Sequence, residues 1–204
     1  MARVDLAVRR AQLVVAAREV LSRDGVANTS LRAVAAEGDV PLGTLQYVFP
    51  TREALLGAVI EDVVSEIGAV FAASTHTGDG LAHALREGIR AFWQTLVSNR
   101  NLQIMQYELT MYALRAEGQE ELARWQYESY ADVVSQWCAQ AAEAAGEVSA
   151  VPLPQLARIM VATIDGLIMQ YVCDPDQRRA EHDLDLMIEM LVGLAAPRPA
   201  SATA

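Results

Sequence analysis

The sequence predicts an all-α protein, a head of three short helices followed by a body of six longer ones, and three observations carry the prediction. Apolar residues recur at three- and four-residue spacing through most of the chain. No stretch alternates apolar and polar residues long enough to make a strand. The 12 Gly and 7 Pro among 204 residues gather largely in short clusters, which read as breaks between long uninterrupted elements.

The first helix runs over residues 6–23, with Leu13, Ala16, Ala17, Val20 and Leu21 on one face. Asp24-Gly25 ends it, because glycine takes the left-handed conformation that closes a helix without strain. Thr29 or Ser30 caps a second helix over 30–37, with Leu31, Val34 and Ala35 inward. Gly38-Asp39 makes a tight turn, and Asp39 tolerates a left-handed backbone. Pro41 opens a third helix, where its missing N–H costs nothing, and that helix runs to about Val48 with Leu45 and Phe49 inward. After Pro50, Thr51 caps a fourth helix over 52–73, and Glu53 complements its positive end. Five more helices are expected at 80–98, 101–115, 118–145, 154–173 and 178–195. Residues 196–204 are rich in Pro, Ala, Ser and Thr and read as a disordered tail.

Composition excludes several classes. With 52% hydrophobic and 21% charged residues the chain has the balance of a folded globular protein. It contains no run of about 18 apolar residues, so no transmembrane helix and no membrane partner are expected. The N-terminus lacks the pattern of a signal peptide. The two cysteines, Cys138 and Cys173, lie in different helices, so a disulfide framework is not expected and a cytoplasmic setting is. The net charge of −10 is uneven: residues 1–56 hold seven Arg against six acidic residues, whereas the rest holds nine Arg against twenty. Any phosphate-binding surface therefore belongs to the first quarter, and the acidic remainder is repelled from nucleic acid.

Two short helices joined by a tight turn, the second with polar residues outward, form a helix-turn-helix at 29–49. The run from Thr29 through Leu56 resembles the signature of the TetR/AcrR family of transcriptional regulators, with Val40, Gly43, Thr44, Leu45, Phe49, Arg52, Glu53 and Leu55 in matching order and spacing. Pro41, Gln46 and Asp39 depart from the commonest pattern, which bears on base preference rather than on fold. The resemblance implies a helix-turn-helix DNA-binding domain over 1–50, a ligand-binding and dimerisation domain over 51–195, and the tail over 196–204. It also implies a repressor that binds a palindromic double-stranded DNA operator as a homodimer and is released by a small effector.

Residue chemistry assigns parts in that scheme. Arg52 resembles the family's phosphate-contacting base, and its fork suits an anion. Thr29, Ser30 and Thr44 offer hydroxyls to phosphate, and Arg32 lies where it could reach the backbone. Gln46 suits a bidentate contact to adenine, Tyr47 a phosphate or a thymine methyl, and Gly43 a close backbone approach; Pro41 and Leu42 complete the surface. Arg3, Arg9 and Arg10 are candidates for an adjacent phosphate or minor groove, with plain solubility the favoured reading.

In the body, residues 92–138 hold all three Trp and four of the six Tyr. Trp93, Met105, Glu108, Met111, Tyr112, Trp125 and Tyr130 are the candidate effector-binding residues, for a hydrophobic or aromatic ligand that is cationic if Glu108 faces it. A packed helical core is the alternative for each. Two stripes, Leu156, Met160, Thr163, Leu167 and Tyr171, then Leu184, Met187, Ile188, Leu191 and Leu194, read either as an intermolecular four-helix bundle or as intramolecular core.

Other classes fit less well. His76, His83 and His182 are far apart, no metal-binding spacing is present, and there is no Gly-rich phosphate loop, so no enzyme, metal or cofactor is expected. A helical protein-interaction module without DNA binding is the remaining alternative.

Overall fold

The computed structural model describes residues 6–74 and 79–200. Nine helices follow in order among them: α1 (Leu6–Asp24), α2 (Leu31–Glu37), α3 (Leu42–Val48), α4 (Arg52–Ser74), α5 (Leu81–Val97), α6 (Arg100–Arg115), α7 (Glu120–Ala144), α8 (Leu153–Cys173) and α9 (Gln177–Ala195). Two-residue strands β1 (Glu147–Val148) and β2 (Arg198–Pro199) pair antiparallel.

The caps fall where side-chain chemistry puts them. Ser30 Oγ accepts from Ala33 N–H at 3.2 Å and opens α2, and Thr51 Oγ1 accepts from Ala54 N–H at 3.1 Å and opens α4. Gly25 closes α1 at φ +80°, and Asp39 turns α2 into α3 at φ +49°.

Contacts divide the chain into two units, Met1–Ser65 with Arg100–Gln126, and Glu66–Asn99 with Tyr127–Ala204. The sequence reading divides the chain at residue 50; by contacts, α6 and the start of α7 belong with the helix-turn-helix instead. In the first unit α1 packs on α2, α3 and α6. Its core holds Leu13, Val20 and Leu21 of α1, Val34 of α2, Leu45 of α3, and Met105 and Leu109 of α6, each at most 1% exposed. Burying each large side chain of this kind contributes roughly 1.5–3 kcal/mol, so α3 is anchored by Leu45 and Phe49 while its other face stays free.

In the second unit α9 packs on α5 and α8. Phe71 lies 4.9 Å, ring centre to ring centre, from both Phe92 and Trp137. Trp93 meets Tyr171 edge-on at 5.7 Å. Gly80 opens α5 without a capping side chain, and Glu147 on β1 supplies the missing acceptor, taking a bond from Leu81 N–H at 2.8 Å.

One expectation needs correction here. Residues 196–200 do not begin a disordered tail: β2 pairs with β1, and Ala200 N–H donates to Gly146 O at 2.8 Å. Residues 201–204 lie outside the described residues. The 21-residue α8 is long and apolar enough to cross a membrane by length and composition, although Arg158 and Asp165 interrupt its apolar run. Its inner face, Leu156, Met160, Ile164 and Ile168, is buried within the chain.

Candidate nucleic-acid interface

The exposed side of α3 presents a compact chemical surface. Gln46 and Tyr47 point away from the core, Tyr47 being 77% exposed. Pro41 and Gly43 are also exposed, and Leu42 and Thr44 are half-buried at its edge. A Cβ built at Gly43 meets nothing within 4 Å, so no internal packing demands glycine there. At the start of α2, Ser30 is exposed; its Oγ caps the helix as an acceptor, and its proton remains available to donate. Arg32 is exposed, with no hydrogen-bond or ion-pair partner among the described residues.

Two predicted phosphate contacts make bonds within the chain. Thr29 is 8% exposed, and its single hydroxyl proton goes to Gly25 O at 2.8 Å, so it closes the turn and has no donor left for a phosphate. Arg52 donates through Nη2 to Val26 O and stacks over Tyr112, with Cζ 4.7 Å from the ring centre. Of the N-terminal arginines, Arg10 pairs with Glu61 at 2.6 Å and lies over Phe49, Arg9 donates to Gln12 at 3.1 Å, and Arg3 lies outside the described residues.

The predicted effector residues divide between the two units. Trp93 and Tyr130, 2% and 8% exposed, belong to the second unit, and the other five belong to the first. Met105 is core, its Sδ accepting from Ser22 Oγ at 3.6 Å, and Trp125 is 40% exposed. Glu108, Met111 and Tyr112 do converge, along a groove of about 380 Å³ that also touches Val26, Ala27 and Arg115. Within it Glu108 is already engaged, accepting from Val26 N–H at 2.7 Å.

The residues predicted for the dimer interface are mostly intramolecular core. Leu156, Met160, Leu184, Met187, Ile188 and Leu191 are all at most 6% exposed within one chain, because α8 and α9 pack on each other through those stripes. Thr163, Leu167, Tyr171 and Leu194 are half-buried. The free faces lie elsewhere: Met169 on α8 is 42% exposed, and Leu186 and Met190 on α9 are 55% and 71% exposed. Ala162, Gly166 and Gly193 are exposed small residues at helical spacing beside them.

One pair escaped the sequence reading. Tyr127 donates its hydroxyl to Asp165 at 2.5 Å, and Tyr130 meets Tyr127 edge-on at 5.7 Å. Burial, then Asp165, pushes the Tyr127 phenol well above its ordinary range, so it stays a donor. The available signal was that Asp165 is the one acidic residue in α8. Cys138 is no reactive thiol, since burial pushes it up to about 12.

Comparison with known proteins agrees with this arrangement. Residues 13–59 match the model described as bacterial regulatory proteins, tetR family, and residues 76–197 match the tetracyclin repressor-like C-terminal domain. The HTH-type nicotine-responsive transcriptional repressor HdnoR of Paenarthrobacter nicotinovorans is 25% identical over 187 residues, 92% of this chain and 95% of that protein. The multidrug binding protein EbrR, solved with imidazole, is 30% identical with a TM-score of 0.68, covering 95% of this chain and 97% of that one. Other structures of EbrR hold ethidium and malachite green. A TetR-family regulator from Rhodococcus sp. shares the fold, with a TM-score of 0.77 at 18% identity, covering 92% of this chain and 98% of that one.

Proposed function

This chain belongs to the tetR family of bacterial regulatory proteins, which are regulators and not enzymes, and we propose that it is a cytoplasmic homodimeric repressor whose α3 reads a palindromic operator and whose grip is released by a small aromatic effector. The observation that carries the reading is the surface of α3. A short helix held by Leu45 and Phe49 turns Gln46 and Tyr47 outward, beside a glycine that nothing inside the chain requires. Gln46 reads a base edge, and Ser30, Arg32 and Thr44 take phosphates. The head is small and near neutral, so two copies are needed for useful affinity.

The dimer uses the outward faces of α8 and α9, where Ala162 and Gly166 let helices approach and Met169, Leu186 and Met190 supply apolar area. The effector is an aromatic cation. Named relatives respond to nicotine or bind ethidium and malachite green, and in this chain the Asp165 carboxylate accepts from Tyr127, whose ring Tyr130 meets edge-on. Its binding shifts the population of head geometries and DNA is released.

Selection of bound duplexes from a random pool tests the reading. A pseudo-palindrome with half-sites about one helical turn apart, roughly 34–36 Å, is expected. Failure to enrich any sequence overturns DNA binding, and a monomer in light scattering overturns the dimer.

A further inference from the structure

At one edge of the first unit, α6 holds the helix-turn-helix through polar contacts. Glu108 accepts from Val26 N–H at 2.7 Å, in the turn between α1 and α2. The carboxylate fills the space a side chain at Gly25 would need, since a Cβ there would stand 3.2 Å from Glu108 Oε2. One helical turn further along α6, the Tyr112 ring carries the Arg52 guanidinium, and its hydroxyl donates to Glu53 Oε1 at 3.2 Å. Arg52 in turn donates to Val26 O. Both backbone groups of Val26 are therefore held from α6, the N–H directly by Glu108 and the carbonyl by way of Arg52 and Tyr112. Glu53 sits below its ordinary carboxylate range, chiefly through its own backbone N–H at the start of α4, with Thr51, Tyr112 and Arg52 adding to the effect.

The groove of about 380 Å³ lies beside these bonds. A close-packed edge leaves no such space. Here the polar contacts add to the apolar packing of Met105 and Leu109 and fix the backbone of the turn on α6. Val26 lies four residues before Ser30, the cap of α2, so a displacement at Val26 passes directly into α2 and then α3.

We propose that Glu108 and Tyr112 are positioning residues for DNA binding, which hold α2 and α3 in register through the two backbone groups of Val26 and through Arg52. This rests on the operator-binding reading above. It recasts Arg52 as part of the clamp instead of a phosphate ligand. Because coupling is reciprocal, whatever displaces α6 weakens DNA binding, and bound DNA resists displacement of α6.

The test measures operator binding by the full-length chain, with the selected duplex, at several salt concentrations. Tyr112→Leu and Glu108→Ala are expected to weaken binding about tenfold, within the usual range of coupling between sites. Tyr112→Phe keeps the ring under Arg52 and loses about twofold to threefold on the same scale. Arg52→Ala weakens binding with the salt slope unchanged. Hydrogen exchange at the Val26 amide speeds up about tenfold in Glu108→Ala, reporting loss of the clamp without DNA. Glu108 is exposed, so its variants fold even if Tyr112→Leu does not. Tyr112→Leu and Glu108→Ala both within about twofold of wild type, or a salt slope that falls by about one for each head in Arg52→Ala, would overturn the proposal. Wild-type protein that enriches no DNA sinks the operator reading itself. Wild-type binding with unaffected variants sinks the clamp alone.

Discussion

Gly88→Ala and Gly166→Ala are the same chemical change in the middle of two helices, and the structure gives them opposite signs. A Cβ at Gly88 would stand 2.3 Å from Trp137 Cζ2 and 2.7 Å from Cη2, against 3.4–4 Å for ordinary contact. The indole must move by about 1 Å to clear it, but Trp137 is 4% exposed and packed on Phe71, and it has no flexible end to yield. Overpacking of this kind costs about 1–3 kcal/mol, and the rigid ring puts it at the top of that range. The better helix propensity of alanine returns about 1 kcal/mol. Gly88→Ala should therefore be destabilised by about 2 kcal/mol. At Gly166 a Cβ meets nothing within 4 Å, so the separate chain gains about 1 kcal/mol. In the proposed dimer the same methyl enters the interface once from each copy and holds the helices apart. Urea denaturation at several protein concentrations separates the terms. Gly88→Ala should lower the midpoint at every concentration. Gly166→Ala should raise it in dilute solution and lose that advantage as wild type dimerises. Gly88→Ala as stable as wild type would refute the packing argument, and an equal gain at all concentrations for Gly166→Ala would place the dimer on another face.

Two further outcomes bear on recognition. Gln46→Ala should relax selectivity at one base pair and cost about 1–3 kcal/mol on the preferred operator; equal weakening on every duplex in a gel-shift series counts against base reading. Asp165→Asn should weaken ethidium binding about tenfold in a fluorescence titration, because a neutral amide cannot balance the cation. An unchanged titration removes Asp165 from the effector site.

Helix positions were legible because local chemistry sets them. The first helix, read as 6–23, is Leu6–Asp24, and the last, read as 178–195, is Gln177–Ala195. Ser30, Thr51, Gly25 and Asp39 act through neighbours four residues away or closer, which sequence displays directly. Partnership across distance was not legible. A stripe such as Leu184, Met187, Ile188 and Leu191 announces an apolar face, yet the same periodicity serves a neighbour in the chain or a second copy. α9 carries that stripe and also exposes Leu186 and Met190, and only packing tells the faces apart. The β1–β2 pair joins residues about fifty positions apart over two residues each, too short for any period to show. The bond that Arg52 makes within the chain was not legible either. Its acceptor, Val26 O, is a backbone group, and backbone groups leave no mark in a sequence.

The fate of the other arginines bears on how steeply DNA binding should depend on salt. Within the head Arg10 pairs with Glu61 and Arg18 with Asp62, both at 2.6 Å, and Arg23 bridges Asp24 and Glu37 at 3.1 and 2.9 Å. Arg52 is held by Val26 and Tyr112. That leaves Arg9, bonded to the neutral Gln12 side chain, and Arg32 as described cations with no carboxylate attached. Each phosphate neutralised contributes about −0.9 to the slope of log affinity against log salt. Two such arginines per head, and two heads, give a slope of about −4 for the dimer. Repulsion from the acidic body acts the other way on affinity, because added salt screens it, and so flattens the slope further. Titrations of the selected operator between about 50 and 200 mM salt measure it directly. A slope near −8 would show that at least two of Arg10, Arg18 and Arg23 leave their carboxylates for phosphate on binding. The intramolecular pairs would then be a resting state of the head.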